Sequence, residues 1–318
     1  MNQTLLQPAR PVAAPGPTPG ELPLVFDCQG ETLVGVLTLP AAASDRCLLI
    51  VVGGPQYRAG SHRLFVQLAR AAAAAGVAAL RFDVRGMGDS SGPQRAFEHL
   101  AADIGAAIAA LQQARPEVRR VALWGLCDAA SAALLYLHER PDPRVAALCL
   151  ANPWVRSEAS LARTQVKHYY RQRLMQREFW LKLLRGGVAG AAWRDFIGSL
   201  RAARPAAPAA QASYQVRMAQ AWRAFDRPIL LLLSGDDYTA REFADVATSD
   251  PAWRGALAQP GVTRHDLRDA DHTFSSPKAQ REVEALTRGW LQERSGRPAG
   301  NVTHQPYGAL AGQVTLTR

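Results

Sequence analysis

Apolar residues recur along the chain in short continuous runs, and most runs are separated by stretches with the spacing of an amphipathic helix. A continuous run of about four to eight apolar residues is typical of a strand that is buried on both faces. Alternating strands and helices favour a mostly parallel sheet with right-handed crossovers. Five runs predict such strands, at 47–52, 77–84, 121–124, 145–151 and 229–233.

The pattern at the two ends of the chain completes this prediction. Two β-like runs at 22–28 and 32–39 predict an opening hairpin, and a last strand at 262–267 precedes a closing helix at 277–293. Ser61 is the expected N-cap of the first helix. The helices between the strands are predicted at 61–75, 97–114, 129–139 and near 240–247. The predicted fold class is therefore α/β, with a doubly wound, mostly parallel sheet.

The alternation stops between residues 155 and 227, where the chain is helical in pattern, aromatic and basic. Residues 156–227 hold 14 Lys and Arg but 4 Asp and Glu, whereas the rest of the chain holds 23 of each kind. The formal net charge of +10 therefore belongs entirely to this segment. The predicted organisation is a disordered leader at 1–20, core at 21–154, a basic helical cap at 155–227, core at 228–294 and a polar tail at 295–318.

A local excess of positive charge predicts one face that meets an anionic partner, since charge spread over the whole chain would instead indicate nucleic-acid binding. We therefore expect no nucleic-acid partner and a small or lipid-linked, anionic acyl substrate. We also expect peripheral contact between the cap and an acidic membrane surface. Trp154, Phe179 and Trp180 are the predicted substrate contacts. The alternative is a cap whose arginines are simply solvated, and the pattern predicts no oligomeric state.

Four scattered cysteines argue against a disulfide framework or a zinc site, because they lack the close spacing that both require. Free thiols indicate a reducing compartment, and the proline-containing first 20 residues lack the apolar core of a signal peptide, so we expect a cytoplasmic protein. The chain contains no P-loop, HExxH or complete GxGxxG motif. We therefore expect no cofactor and no metal.

The candidate chemistry centres on Cys127. The stretch Gly125-Leu126-Cys127-Asp128-Ala129 joins an apolar run to a helical pattern, which predicts a nucleophile elbow, usually written G-x-S-x-G. Such a turn exposes its side chain at a helix N-terminus, where backbone N–H groups favour the reactive thiolate. Here cysteine replaces the usual serine, and alanine replaces the second glycine.

A thiol nucleophile needs a base and a group that orients the base. In this architecture the chain order is nucleophile, acid, histidine, and Cys127, the pair Asp236-Asp237 and His272 follow predicted strands in that order. Asp237 is the preferred acid, and Asp236 remains the alternative. We expect His272 to take the thiol proton while the acid orients its imidazole ring.

An oxyanion hole is predicted from two backbone N–H groups. One belongs to Asp128, directly after the nucleophile. The other comes from the loop Gly53-Gly54-Pro55-Gln56, after the strand at 47–52. Proline has no N–H, so the second donor is Gly54 or Gln56.

Several of these motifs together resemble the α/β-hydrolase superfamily over roughly residues 22–291: GGPQ, FDVRGMGDS, GLCDAAS, SGDD and DADHTF. More narrowly, GGPQYRAGSHR, RFDVRGMGDS and GLCDAAS look like the exosortase A system-associated hydrolase 1 family. The first resemblance implies an α/β-hydrolase fold with a cap insertion after the sixth strand. The second implies a setting beside exopolysaccharide biosynthesis and PEP-CTERM sorting in Gram-negative bacteria.

The expected function is hydrolysis of an ester or thioester by a Cys–His–Asp triad, through a covalent acyl-enzyme. Two alternatives stay open. One is an acyltransferase that acts on an exopolysaccharide precursor. The other is a catalytically silent α/β-hydrolase fold that serves as a scaffold or binding protein.

Overall fold

The computed structural model describes residues 20–156 and 212–293. The expected leader up to residue 19, the tail and most of the expected cap lie outside the described residues, and with them Phe179 and Trp180. Within the two described ranges, every helix is too short or too polar to cross a membrane.

Eight strands form one sheet: β1 Gly20–Cys28, β2 Glu31–Leu39, β3 Arg46–Val51, β4 Ala78–Phe82, β5 Arg120–Leu126, β6 Val145–Ala151, β7 Ile229–Asp236 and β8 Val262–Asp271. Their spatial order is β1-β2-β4-β3-β5-β6-β7-β8. The opening hairpin is antiparallel, and β2 also pairs antiparallel with β4. The other neighbours are all parallel, so the ends of β3, β5, β6, β7 and β8 meet along one edge.

Six helices in the described residues cover the two faces of the sheet: α1 Leu64–Ala74, α2 Ala101–Ala114, α3 Asp128–Glu139, α4 Tyr214–Ala224, α5 Tyr238–Ser249 and α6 Pro277–Glu293. One core contains α2 to α5, and the other contains α1 and α6. Strand β3 shows why a central strand is apolar throughout. Leu49 and Val51 enter the first core, whereas Leu48 and Ile50 enter the second. The predicted doubly wound sheet is confirmed.

The first helix begins later than the sequence predicts. His62 and Arg63 adopt left-handed backbone angles, with φ of 53° and 61°, which an α-helix of ordinary residues does not contain. A short 3-10 turn therefore occupies Ser61–Arg63, and α1 starts at Leu64 without a side-chain capping bond. The prediction that Ser61 is the N-cap of the first helix is therefore wrong, because the backbone angles of these two residues delay the start of the helix.

Helix α4 falls within the expected cap but packs into the core of the sheet domain. Its Trp222 is fully buried and makes an edge contact with Trp253, with ring centroids 5.5 Å apart. Met218 and Ala219 join the core that also contains α3. Residues 214–224 therefore belong to the core, and the expected cap boundary at residue 227 moves to the N-terminal side of α4.

The two ends of the insertion between β6 and α4 are held together. The Tyr214 hydroxyl donates to the Arg156 carbonyl, and the Gln215 amide donates to the Val155 carbonyl at 3.3 Å. The Arg156 guanidinium lies 3.0 Å from the buried carboxylate of Glu242. The insertion therefore begins and ends at one fixed point of the core.

Candidate active site

Cys127 lies at the turn between β5 and α3, with φ 62° and ψ −123°. A positive φ is strained for a residue with a side chain and persists only where the surroundings impose it. The Cys127 N–H donates to the Ala151 carbonyl at 2.9 Å, and the Cys127 carbonyl accepts from the Trp154 N–H at 3.2 Å. These bonds hold the partly exposed cysteine at the N-terminus of α3.

Small residues make this turn possible. A methyl group at Gly125 would lie 2.6 Å from the Ala129 carbonyl, so this position needs glycine. A methyl group at Gly53 would lie 2.8 Å from Ala129 Cβ. Ala129 is fully buried, and the absence of a side chain at Gly53 leaves room for its methyl group. The alanine in place of the second elbow glycine is therefore matched by a glycine on the facing loop.

His272 follows β8, and Asp237 is the N-cap of α5. The His272 ring nitrogen Nδ1 donates to Asp237 Oδ2 at 2.9 Å. The same carboxylate accepts from the N–H groups of Thr239 and Ala240, each at 3.1 Å. The Asp236 side chain is 85% exposed and takes no part in this contact. The structure brings Asp237, and not Asp236, against His272.

The electrostatics of the pair follow from these contacts. Burial raises the pKa of the Asp237 carboxyl group. The hydrogen bonds to the carboxylate and the charge of His272 lower it by more, so the pKa lies below its usual value. Hydrogen bonds to Asp237 and then to Cys127 raise the pKa of His272 to about 10, against the opposing effect of burial. Because Nδ1 bonds to Asp237, Nε2 is the ring nitrogen available to the sulfur. Asp237 thus binds one side of the His272 ring, and Cys127 acts on the same ring from the elbow.

Sequence reasoning missed a buried pair behind His272. Asn152 follows β6, is fully buried and has φ 45°. Its amide donates to Ser234 Oγ at 2.9 Å and to the His272 carbonyl at 3.1 Å, and its Oδ1 accepts from the Ser234 N–H at 2.9 Å. Ser234 Oγ donates to the Asp271 carbonyl at 2.8 Å. The pair holds the His272 loop against the ends of β6 and β7. Its one sequence signal, Asn152-Pro153 after an apolar run, indicates only a turn.

One of the predicted oxyanion donors binds the Asp128 side chain. The Gly54 N–H donates to Asp128 Oδ2 at 2.9 Å. Oδ1 is buried without a hydrogen bond of good geometry among the described residues. Gln56, the other candidate donor, has a buried side-chain oxygen that likewise lacks a partner in the described ranges.

The loop that carries Gly54 is anchored by Arg58. Its backbone N–H donates to Asp83 Oδ1 at 2.6 Å, and its guanidinium forms ion pairs with Asp83 and Asp89. Asp83 is fully buried at the end of β4. These residues of the GGPQYR and FDVRGMGD motifs therefore position two neighbouring loops at the edge of the site.

Of the three predicted substrate contacts, only Trp154 lies within the described residues. Trp154 lies beside the elbow through its backbone, its carbonyl accepts from Ser131 Oγ at 2.6 Å, and Arg156 stacks 4.5 Å from its ring centre. Phe179 and Trp180 lie outside the described ranges. Among the residues that the structure does describe, no three His, Cys, Asp or Glu side chains gather as a metal site would require.

Comparison with known proteins identifies the same architecture. The sequence profile of the Alpha/beta hydrolase family matches residues 48–285. An esterase from Pyrococcus furiosus is similar in structure, with a TM-score of 0.59 at 14% identity over 91% of this chain and 98% of that one. Est1E from Butyrivibrio proteoclasticus, solved with ferulic acid, has a TM-score of 0.58 at 16% identity over 86% and 100% of the two chains.

A serine hydrolase without a lid, from Xanthomonas campestris, has a TM-score of 0.53 at 16% identity over 90% of this chain and 98% of that one. No curated protein matches the sequence significantly. At these identities the solved structures establish the fold alone, and the narrower exosortase-associated resemblance stays a prediction. The family profile, however, runs from β3 into α6 and includes Cys127, Asp237 and His272. On this match the chain belongs to the alpha/beta hydrolase family.

Proposed function

We propose that this protein is an esterase or thioesterase that works through a covalent thioester on Cys127. The observation that supports it most strongly is the hydrogen bond from His272 to Asp237, on a ring whose pKa Cys127 also raises from a strained strand–turn–helix. A nucleophile within reach of a base, with the base oriented by a third group, is the usual arrangement for covalent catalysis.

Acylation follows from the charge of the pair. His272 takes the proton of the Cys127 thiol and becomes the imidazolium, the form that its raised pKa favours. The thiolate attacks the substrate carbonyl carbon, so that a C–S bond forms and the carbonyl electron pair moves to oxygen. When this intermediate collapses, the leaving alkoxide or thiolate takes the His272 proton. Asp237 keeps the ring oriented and stabilises its charged form.

Deacylation uses the same groups in reverse. Neutral His272 takes a proton from water, and the water oxygen attacks the thioester carbon. Collapse releases the carboxylic acid and restores the thiolate and imidazolium. An alcohol in place of water makes the same site an acyltransferase, and free acid or acylated sugar among the products separates the two reactions.

For the substrate we propose an acyl group on an anionic or lipid-linked molecule of exopolysaccharide assembly, in the cytoplasm. The resemblance of three motifs to exosortase-associated hydrolases supports this setting, as does the basic excess in residues 156–227. All four cysteines are free thiols, which fits a reducing compartment. The proposed chemistry requires no metal, cofactor or nucleic acid.

The test is the reactivity of Cys127, compared with turnover of a p-nitrophenyl ester and an acyl thioester. Iodoacetamide should label Cys127 selectively, because the other three cysteines are buried. At about pH 6 we expect wild-type labelling to be faster than that of a free thiol, and at least about tenfold slower in His272→Ala. Cys127→Ala should abolish turnover. Turnover that survives in Cys127→Ala, or ordinary thiol reactivity in both proteins, would instead indicate a silent scaffold or another site.

A further inference from the structure

A side chain of the protein itself binds one candidate donor of the predicted oxyanion hole. Asp128 Oδ2 accepts the Gly54 N–H at 2.9 Å. In this architecture the loop that contains Gly54 supplies one of the two oxyanion donors. A backbone N–H that points at the carboxylate cannot point at the same time at a substrate oxygen.

The carboxyl group is closely packed in this position. A methyl group at Gly53 would come within 2.1 Å of Asp128 Oδ1, so the glycine leaves just enough room for that oxygen. Burial raises the pKa of Asp128, while the N–H groups of Gly54, Ala129 and Asp128 itself lower it. His272 is the charged group that acts on it across the site. Two loops and the start of α3 thus enclose one carboxyl group beside the nucleophile.

We propose that the Asp128 carboxyl group closes the oxyanion hole of the substrate-free protein and must leave Gly54 before a carbonyl substrate can react. This inference rests on the proposed function, since it assigns a specificity role within the same site. Displacing the carboxylate costs free energy, which only a substrate with further contacts to the protein can supply. Small acyl compounds lack such contacts, so the closed hole would protect them from adventitious hydrolysis.

An aldehyde tests the hole without any need for turnover. The Cys127 sulfur adds to the aldehyde carbon, a C–S bond forms, and the carbonyl electron pair moves to oxygen, which takes the His272 proton to give a hemithioacetal. We would measure how strongly hexanal protects Cys127 from iodoacetamide in wild type, Asp128→Ala and Asp128→Asn. Alkylation by iodoacetamide displaces iodide at carbon and forms no oxyanion, so its rate without aldehyde reports the thiolate alone.

If Asp128 closes the hole, Asp128→Ala binds hexanal about tenfold more tightly than wild type, the worth of one regained hydrogen bond. Its alkylation rate without aldehyde is measured alongside, so that any change in thiol reactivity is separated from the change in hexanal binding. Asp128→Asn still presents an oxygen acceptor to Gly54 and should remain close to wild type. Equal or weaker hexanal binding in Asp128→Ala would overturn the proposal. If Asp128→Asn bound hexanal as tightly as Asp128→Ala, the proposal would also be overturned. The negative charge of Asp128, and not its hydrogen bond to Gly54, would then determine hexanal binding.

A structural measurement keeps the test independent of folding and of turnover. In wild type the Gly54 amide proton should resonate downfield in a ¹H–¹⁵N spectrum and move upfield in Asp128→Ala, with the other amide signals of the fold retained. An unchanged Gly54 signal in a folded variant contradicts the proposal. If the hexanal and amide results hold but no ester or thioester is turned over, the closed hole stands and the proposed hydrolase function fails.

Discussion

The nucleophile side and the histidine side of the site are held in place by different kinds of contact. At Cys127 the position is set by backbone hydrogen bonds and by the close approach of Gly53, Gly125 and Ala129. At His272 it is set by buried polar side chains, Asn152 and Ser234, and by the Asp237 carboxylate. The first arrangement tolerates no added atoms, whereas the second depends on hydrogen bonds that each side chain must complete.

This difference predicts how each side fails. Adding a methyl group to the nucleophile side displaces backbone, so stability should suffer first. Removing a polar group from the histidine side should leave the fold largely intact but free the His272 ring, so activity should suffer first. Substitutions on the two sides should therefore separate a loss of activity from a loss of stability.

His272→Ala removes the base and should lower kcat/KM for ester hydrolysis by roughly 10²- to 10⁴-fold. The substitution also changes the pH dependence of stability. The pKa of His272 in the folded protein, about 10, lies above its value of about 6.5 in an unfolded chain. Its stabilising contribution is therefore complete below about pH 6.5 and lost as the pH rises towards about 10. Urea unfolding over this range should show the advantage of wild type over His272→Ala shrinking with pH, and a growing advantage would contradict the assignment.

Asp237→Asn and Asp236→Asn form a matched pair of adjacent substitutions. The first removes the charge that stabilises the His272 imidazolium, and we expect kcat to fall about 100-fold. The second alters an exposed carboxylate outside the site, so kcat should stay within about twofold. Steady-state kinetics give kcat for both variants. A larger fall in kcat in Asp236→Asn than in Asp237→Asn would identify Asp236 as the acid.

Asn152→Asp tests the polar support behind His272. The carboxylate can still accept the Ser234 N–H but cannot donate to the His272 carbonyl, so we expect kcat to fall about tenfold with KM little changed. Ser234→Ala retains the bond from Asn152 to His272 and should cost less. A merely structural role would lower the fraction of active protein, and active-site titration with iodoacetamide distinguishes that loss from a slower turnover per site.

Gly53→Ala should lower the free energy of unfolding by about 1–3 kcal/mol, because the added methyl group overpacks against Asp128 Oδ1 and Ala129. Ala129→Gly alone should cost about 1 kcal/mol because it places glycine in a helix. The double variant should recover part of the Gly53→Ala loss, since one methyl group makes room for the other. Urea unfolding of the four proteins gives the coupling, and strictly additive losses would show that the two positions do not share this space.

The nucleophile side could be predicted from the sequence because its signals are local. Gly125 and Cys127 stand two residues apart, directly between an apolar run and a helical pattern. The histidine side could be predicted only in outline. Asn152 and Ser234 are 82 positions apart, and their contact depends on the register between β6 and β7. The choice of Asp237 over its neighbour depends on which side chain caps α5.

Two further features lay beyond the sequence for similar reasons. The turn of Asp128 back to Gly54 joins residues 74 positions apart and depends on the approach of two loops. Helix α4 has the basic and aromatic composition that suggested a cap, yet its buried face, with Trp222, packs against the core. Composition describes the whole helix, whereas packing depends on one face of it.

The insertion between β6 and α4 is attached to the core at both of its ends. Tyr214 and Gln215 bind the chain just after β6, so residues 155–156 and 214–215 are held next to each other. The entropy of closing such a loop changes slowly, by about 0.6 kcal/mol for each doubling of its length. Changing the length of the insertion should therefore cost little free energy of unfolding and leave Cys127 and its partners in place.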